Sequence, residues 1–228
     1  MFKDFFRLFY PNLCIICNDV LLKSENPVCL RCSLALPYTN YHYTPDNNPV
    51  AKVFWGRIPI LQAIAFLHFR KGNMVQELVH RLKYKNEPYI GDFLGRIYGK
   101  SLLDSPSFSK PDYIIPVPLH PAKEKLRGYN QSFHYASGLA DALKSKASDS
   151  ILARNKSSST QTKKSRFERW TNVNSIFIPG KDFYKVENSH VLLVDDIVTT
   201  GATLEACADV LIQYGKARVS VASIAFTN

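Results

Sequence analysis

VLLVDDIVTTGATLEACADVL, residues 191 to 211, begins with four apolar residues and meets two adjacent aspartates. It then passes through threonines and one glycine into an amphipathic run. Val191 to Val194 reads as a strand buried on both faces, the habit of parallel sheets, and the residues up to Gly215 read as a helix. Asp195 and Asp196 then fall at the C-terminal edge of the strand, where open α/β sheets bind ligands. The turn that follows feeds a helix N-terminus, whose outward N–H groups attract a phosphate. Thr199, Thr200 and Thr203 add hydroxyl donors, Gly201 permits close approach of the backbone, and Ala202 completes the turn.

Two carboxylates repel a phosphate but suit a pair of ribose hydroxyls or a magnesium ion. The stretch therefore asks for a sugar with cis-hydroxyls on one side and a phosphate on the other, a ribose 5-phosphate. A nucleoside triphosphatase would also end a strand in acids, but it needs a GxxxxGK[ST] loop, and the chain has none. An acidic phospho-acceptor pocket leaves the TTGAT turn unexplained. An ordinary strand-to-helix turn explains the glycine but not two acids with three threonines.

Across its 228 residues the chain alternates strand-like and helical patterns from residue 60 onward. Strands are expected at 62–69, 111–119, 150–154, 190–196 and in the final ARVSVASIAF. Helices are expected at 73–84, about 90–103, 130–144 with Asn130 as N-cap, 165–173, and after Gly201. This order implies βαβ units and a mainly parallel sheet covered by helices. Residues 1–55 read as a separate small module and linker, and 56–228 as the main domain, with a helical hood at 56–105 and a core at 106–228. Net charge is +10, from 29 basic and 19 acidic residues, which fits anionic ligands without choosing among them. No apolar run approaches the roughly 18 residues that a membrane span requires, and the aromatic start MFKDFFRLFY reads as an amphipathic helix without a cleavage site. The expected compartment is the cytoplasm.

Cys14, Cys17, Cys29 and Cys32 form two CxxC pairs separated by 11 residues. Paired thiolates at this spacing form knuckles, and two knuckles give the tetrahedral S4 set that suits zinc in a structural site. Disulfides fit poorly with a cytoplasmic chain, and a redox function needs only one pair. Cys207, on the helix after the aspartates, reads as a packing thiol.

With these residues in view, VLLVDDIVTTGAT resembles the signature that binds phosphoribosyl pyrophosphate (PRPP) in type I phosphoribosyltransferases. That resemblance implies that Asp195 and Asp196 contact the ribose, with magnesium, and that Thr199 to Thr203 hold the 5-phosphate. The CxxC pairs, RLKYKNEPYIGDFLG, IIPVPLHPAKEKLRGYNQS and STQTKKSRFERWTNV are similar to the ComF family of competence-associated proteins, from about residue 10 onward. The fold so implied is a type I phosphoribosyltransferase-like parallel sheet flanked by helices, with a four-cysteine zinc module at the N-terminus. The loop after the first core strand would bind pyrophosphate, which assigns that role to Lys123, Lys125, Arg127 and Gly128, with Arg127 foremost. The Arg154–Arg169 segment has six basic residues and one acid. It would form a flap over PRPP through Thr160, Gln161, Lys163 and Lys164, the two lysines being catalytic candidates beside Arg127.

The resemblance implies a PRPP-binding protein linked to DNA uptake and natural transformation, with displacement of pyrophosphate as its chemistry. The rival is a non-catalytic factor that handles single-stranded DNA and uses the fold as a PRPP or nucleotide sensor. Residues 57–103 would supply a base-recognition hood, but nothing there reads as purine- or pyrimidine-specific. His68, His80 and His120 read as packing or surface histidines.

Overall fold

The computed structural model describes residues 10–22, 27–155 and 176–227. Strands β1 (Ala63–His68), β2 (Tyr113–Pro116), β3 (Lys146–Ala147), β6 (His190–Val198) and β7 (Arg218–Phe226) pair in the order β1–β7–β6–β2–β3, every pair parallel. The short strands β4 (Leu152–Arg154) and β5 (Phe177–Pro179) form a separate antiparallel pair.

Parallel neighbours need crossover connections, and helices supply them on both faces. Helices α3 (Met74–Tyr84), α4 (Tyr89–Leu103) and α6 (Gln131–Leu143) cover one face, packing with Leu192, Val194, Ala222 and Ile224. Helix α7 (Ala202–Gly215) and the shorter α2 (Pro49–Phe54) cover the other, with Val191, Leu193, Val219 and Val221. Alternate residues of β6 thus feed opposite clusters, as an apolar strand inside a covered sheet should. Asn130 is the N-cap expected from sequence and accepts from the Ser132 N–H, and Asn73 likewise accepts from the Gln76 N–H. Asn48 caps α2, with Pro49 in the first turn.

The N-terminal cysteine region is part of the same packing. Helix α1 (Leu30–Leu34) carries Cys32, and Cys14, Ile15, Val28, Cys29 and Leu36 join the cluster built on α3 and α4. Arg81 of α3 donates to the Ile15 carbonyl at 3.2 Å and clasps Glu87 through two hydrogen bonds of 2.7 and 2.9 Å.

Helices α4 and α6 touch backbone to backbone. Gly91, Gly95 and Gly99 recur every four residues along α4 and meet α6 around Gly138. A Cβ at Gly138 would lie 2.2 Å from the Asp92 carbonyl oxygen, and one at Gly95 would lie 2.4 Å from that of Tyr135. Gly138→Ala should therefore destabilise the fold by about 1–3 kcal/mol despite alanine's better helix propensity, because the clash is with rigid backbone. A urea-denaturation midpoint at or above that of the unaltered chain would refute this close contact.

Candidate functional site

The chain leaves β2 through α6 toward β3, and leaves β6 through α7 toward β7 on the other side. The carboxyl ends of β2 and β6 are therefore a topological switch point, where crossovers diverge and open a crevice. Pairing of β6 with β2 ends at Val194 against Pro116, whereas its pairing with β7 runs on to Val198 against Phe226. Asp195 and Asp196 thus sit inside β6 and not at its end, which corrects the strand boundary expected from sequence. The cause lies in the neighbours: β7 continues alongside β6, whereas β2 pairs with it only to Pro116, and the bond from the Val117 N–H to the Val194 carbonyl follows that last pair.

On this opened flank the first turn of α6 meets the acids. Ser132 Oγ donates to Asp195 Oδ1 at 3.1 Å, and Gln131 Nε2 donates to Asp196 Oδ2 at 2.7 Å. Lys83, near the end of α3, places Nζ 2.9 Å from the same Asp196 oxygen. Asp196 is buried, and its side chain is 9% exposed. Arg127 donates to Gln131 Oε1 and lies over the Tyr84 ring at 5.6 Å. Arg127, Gln131, Asp196 and Lys83 thus form one connected chain across the crevice. Burial, and then the Asp196 charge, push the Asp195 carboxyl up to about 7, against the opposing pull of the Asp196 N–H, Ser132 and Lys83.

The threonine-rich turn lies just beyond. Thr199 and Thr200 are exposed, Gly201 is buried at φ +73°, and Ala202 and Thr203 open α7 on the surface. Gly201, at the N-cap, has no side chain to cap this helix, and the Thr200 hydroxyl accepts from the Ala202 N–H at 3.5 Å. Gly201 is required on two counts, since a Cβ there would be strained and would sit 2.6 Å from Val53 Cγ1. Arg57 braces the turn, donating to the Thr200 carbonyl at 2.9 Å and pairing with Glu205.

The expected pyrophosphate loop is mostly a helix, α5 (Pro121–Arg127), closed by Gly128 at φ +84°. Pro121 presets the first turn and the His120 ring accepts from the Ala122 N–H at 3.2 Å, so the proline-framed segment coils. Lys123 and Lys125 are fully on the surface, and Arg127 alone reaches the acids' network. Lys163, Lys164, Thr160 and Gln161, and the helix expected at 165–173, lie outside the described residues.

In the N-terminal region that packs against α3 the four Sγ atoms of Cys14, Cys17, Cys29 and Cys32 lie within 4.8 Å of one another. They could hold a metal ion, and an all-thiolate set is consistent with zinc. Burial raises the Cys14 thiol, but the Cys29, Cys17 and Ile16 N–H groups outweigh it and bring it down to about 6. Such donors prepare a thiolate, the form that binds metal. Cys207 is buried in the core, its thiol raised by desolvation, as a packing residue should be.

A family model described as a phosphoribosyl transferase domain matches residues 130–228, the span that carries Gln131, Ser132, both acids and the threonine-rich turn. The chain is 26% identical to the DNA utilization protein YhgH of Escherichia coli K12, covering 92% of this chain and 95% of that one. It is 27% identical to Competence protein F of Haemophilus influenzae, over 95% of this chain and 98% of that one. Its identity to Competence protein ComFC of Bacillus subtilis is 28%, over 90% of each. The chain is thus similar over nearly its whole length to proteins named for competence and DNA utilization. A solved B. subtilis glutamine PRPP amidotransferase, in complex with ADP and GMP, is 20% identical, with a TM-score of 0.41 over 62% of this chain and 30% of that one.

Three residues of this crevice were given no role of their own by the sequence, although each lies in a stretch quoted for its family resemblance: Lys83, Gln131 and Ser132. Lys83 is one cation among several on an amphipathic helix, and only the fold shows that it faces Asp196. Gln131 and Ser132 follow the N-cap asparagine, where polar residues are ordinary. The raised Asp195 carboxyl has a measurable consequence. Protonation is favoured in the folded state, so its stabilising effect is complete near pH 4 and fades as pH rises to about 7. Asp195→Asn should therefore lose less stability than the unaltered chain between those values. Parallel pH profiles from thermal melts would refute the assignment.

Proposed function

We propose that the crevice at the carboxyl ends of β2 and β6 binds a ribose 5-phosphate, with PRPP as the ligand of best chemical fit. The observation that carries this reading is the convergence, at the switch point, of two strand-borne carboxylates and a helix N-terminus with glycine at its cap. Asp195 and Asp196 would accept from the ribose hydroxyls, with Asp196 held in place by Lys83 and Gln131. Thr199 to Thr203 would hold the 5-phosphate on the α7 N–H groups.

Arg127, with Lys123 and Lys125 on the same helix and Gly128 at its C-cap, would take the pyrophosphate. In a transfer, the bond from the anomeric carbon to pyrophosphate breaks as an incoming nucleophile bonds to that carbon. The basic groups would receive the charge on the departing oxygen. Magnesium, arriving with the ligand, would neutralise charge on the diphosphate. Asp196 already carries Lys83, so a hydrated ion held mainly by the ligand's oxygens suits this donor set.

The names of the relatives, DNA utilization and competence, support a link to DNA uptake. They also favour a second reading, a non-catalytic single-stranded DNA factor in which the crevice senses PRPP or a nucleotide. No described helix is long and apolar enough to cross a membrane. Five free thiols suit a reducing compartment, so we place the chain in the cytoplasm.

Isothermal calorimetry with PRPP and magnesium should show binding that disappears in Asp195→Ala combined with Asp196→Ala. Equal affinity in both proteins would overturn the site. Pyrophosphate release on adding an acceptor separates the enzyme from the sensor. Metal analysis of reduced protein should find one zinc per chain and its loss in Cys32→Ala, whereas a stoichiometry far below one would remove zinc from the account.

A further inference from the structure

The opposite end of the sheet has a different chemistry. At the amino-terminal ends of β2, β3 and β6, an open pocket of about 370 Å³ is lined by Lys110, Asp112, Tyr113, Lys144, Lys146 and Ser189, with Pro111 and Ser145. All three lysines lie on the surface. Asp112 is the only acid in the lining, and it already accepts from the His190 N–H at 2.8 Å. The lining therefore carries three positive charges against one negative charge.

The basic character extends past the rim. Arg218 stands level with His190 in the ladder of β6 and β7. A lysine at a helix C-terminus is ordinary, and Lys144, at the C-cap of α6, answers that description. Lys110 precedes β2 and Lys146 begins β3, so the helix dipole explains neither. Nor do the lysines neutralise one another's surroundings, because no ion pair among the described residues involves any of the three.

Two further observations point to a ligand. Ser189 Oγ is shielded from solvent and has no hydrogen-bond partner among the described residues. A buried hydroxyl left unpaired costs stability unless a ligand group satisfies it. In addition, Lys146 Nζ lies over the Tyr113 ring at 5.7 Å, placing a cation and an aromatic side by side. Cations that track phosphates beside an aromatic face are the usual equipment for single-stranded nucleic acid.

We propose that this pocket is a second anion site, built for phosphate groups and set at the end of the sheet away from Asp195 and Asp196. Lys110, Lys144 and Lys146 supply the charge, and Ser189 supplies a hydroxyl. The phosphates come from free small molecules or from the backbone of a nucleic-acid strand. The site is independent of what binds in the β2–β6 crevice.

The test uses a triple variant, Lys110→Gln, Lys144→Asn and Lys146→Gln. Asparagine at 144 respects the left-handed backbone there, at φ +55°. The altered side chains are exposed, so the thermal midpoint should hold, and a variant with an unchanged midpoint is the one to compare. Inorganic pyrophosphate is titrated by calorimetry, and a labelled oligothymidylate by fluorescence anisotropy at several salt concentrations. Losing three phosphate contacts should lower the slope of log affinity against log salt by about 2, at roughly 0.7 per contact for a single strand. A loss confined to the oligonucleotide assigns the site to a strand backbone, and a loss for both ligands assigns it to phosphate in general. A loss of pyrophosphate binding alone assigns it to small phosphates. If both affinities and the salt slope match those of the unaltered chain, the proposal fails.

Discussion

The one-sided end of the ladder between β2 and β6, at Pro116 against Val194, is the constraint from which the site's geometry follows. The ladder between β2 and β6 stops there, while β6 still has a full partner in β7. A strand whose pairing ends on one side only has a straight, supported backbone with an open flank. Into that flank the fold inserts the first turn of α6, and across it reaches Lys83 from α3. Were β2 to continue, its backbone would occupy the space in which Gln131 and Ser132 meet the acids. Rigid positioning and access thus come from the same interruption.

The electrostatics of the crevice follow from this enclosure. Two adjacent carboxylates packed against protein cannot both ionise at ordinary cost. Lys83 and Gln131 take the side of Asp196, and Asp195 is left with a hydroxyl and one N–H. The two acids are equivalent in sequence and distinct in structure.

Much of this was legible beforehand. The run of apolar residues before Asp195, the glycine after the threonines and the Asn130 cap are local signals, and each element they announce is present. The cysteine spacing likewise announces the cluster. Two kinds of feature were not legible. One is the state of a segment whose local preference is mixed, such as Pro121–Arg127, which reads as a proline-framed loop and coils because His120 and Pro121 start a helix. The other is the long-range partner. Lys83 and Asp196 are far apart in sequence, and no local pattern couples them. The glycines of α4 belong with these, since their reason is the backbone of α6.

The half-buried Asp195 also bears on how such a chain can change. An amide or apolar residue of similar size there would relieve the desolvation of a charge and make the empty protein sturdier at neutral pH. Random improvement of thermal stability would therefore be drawn toward this position, at the expense of the group that a hydroxylated ligand would engage. A search for hardier variants of this chain that does not also select for ligand binding is steered by its own criterion toward erasing the crevice.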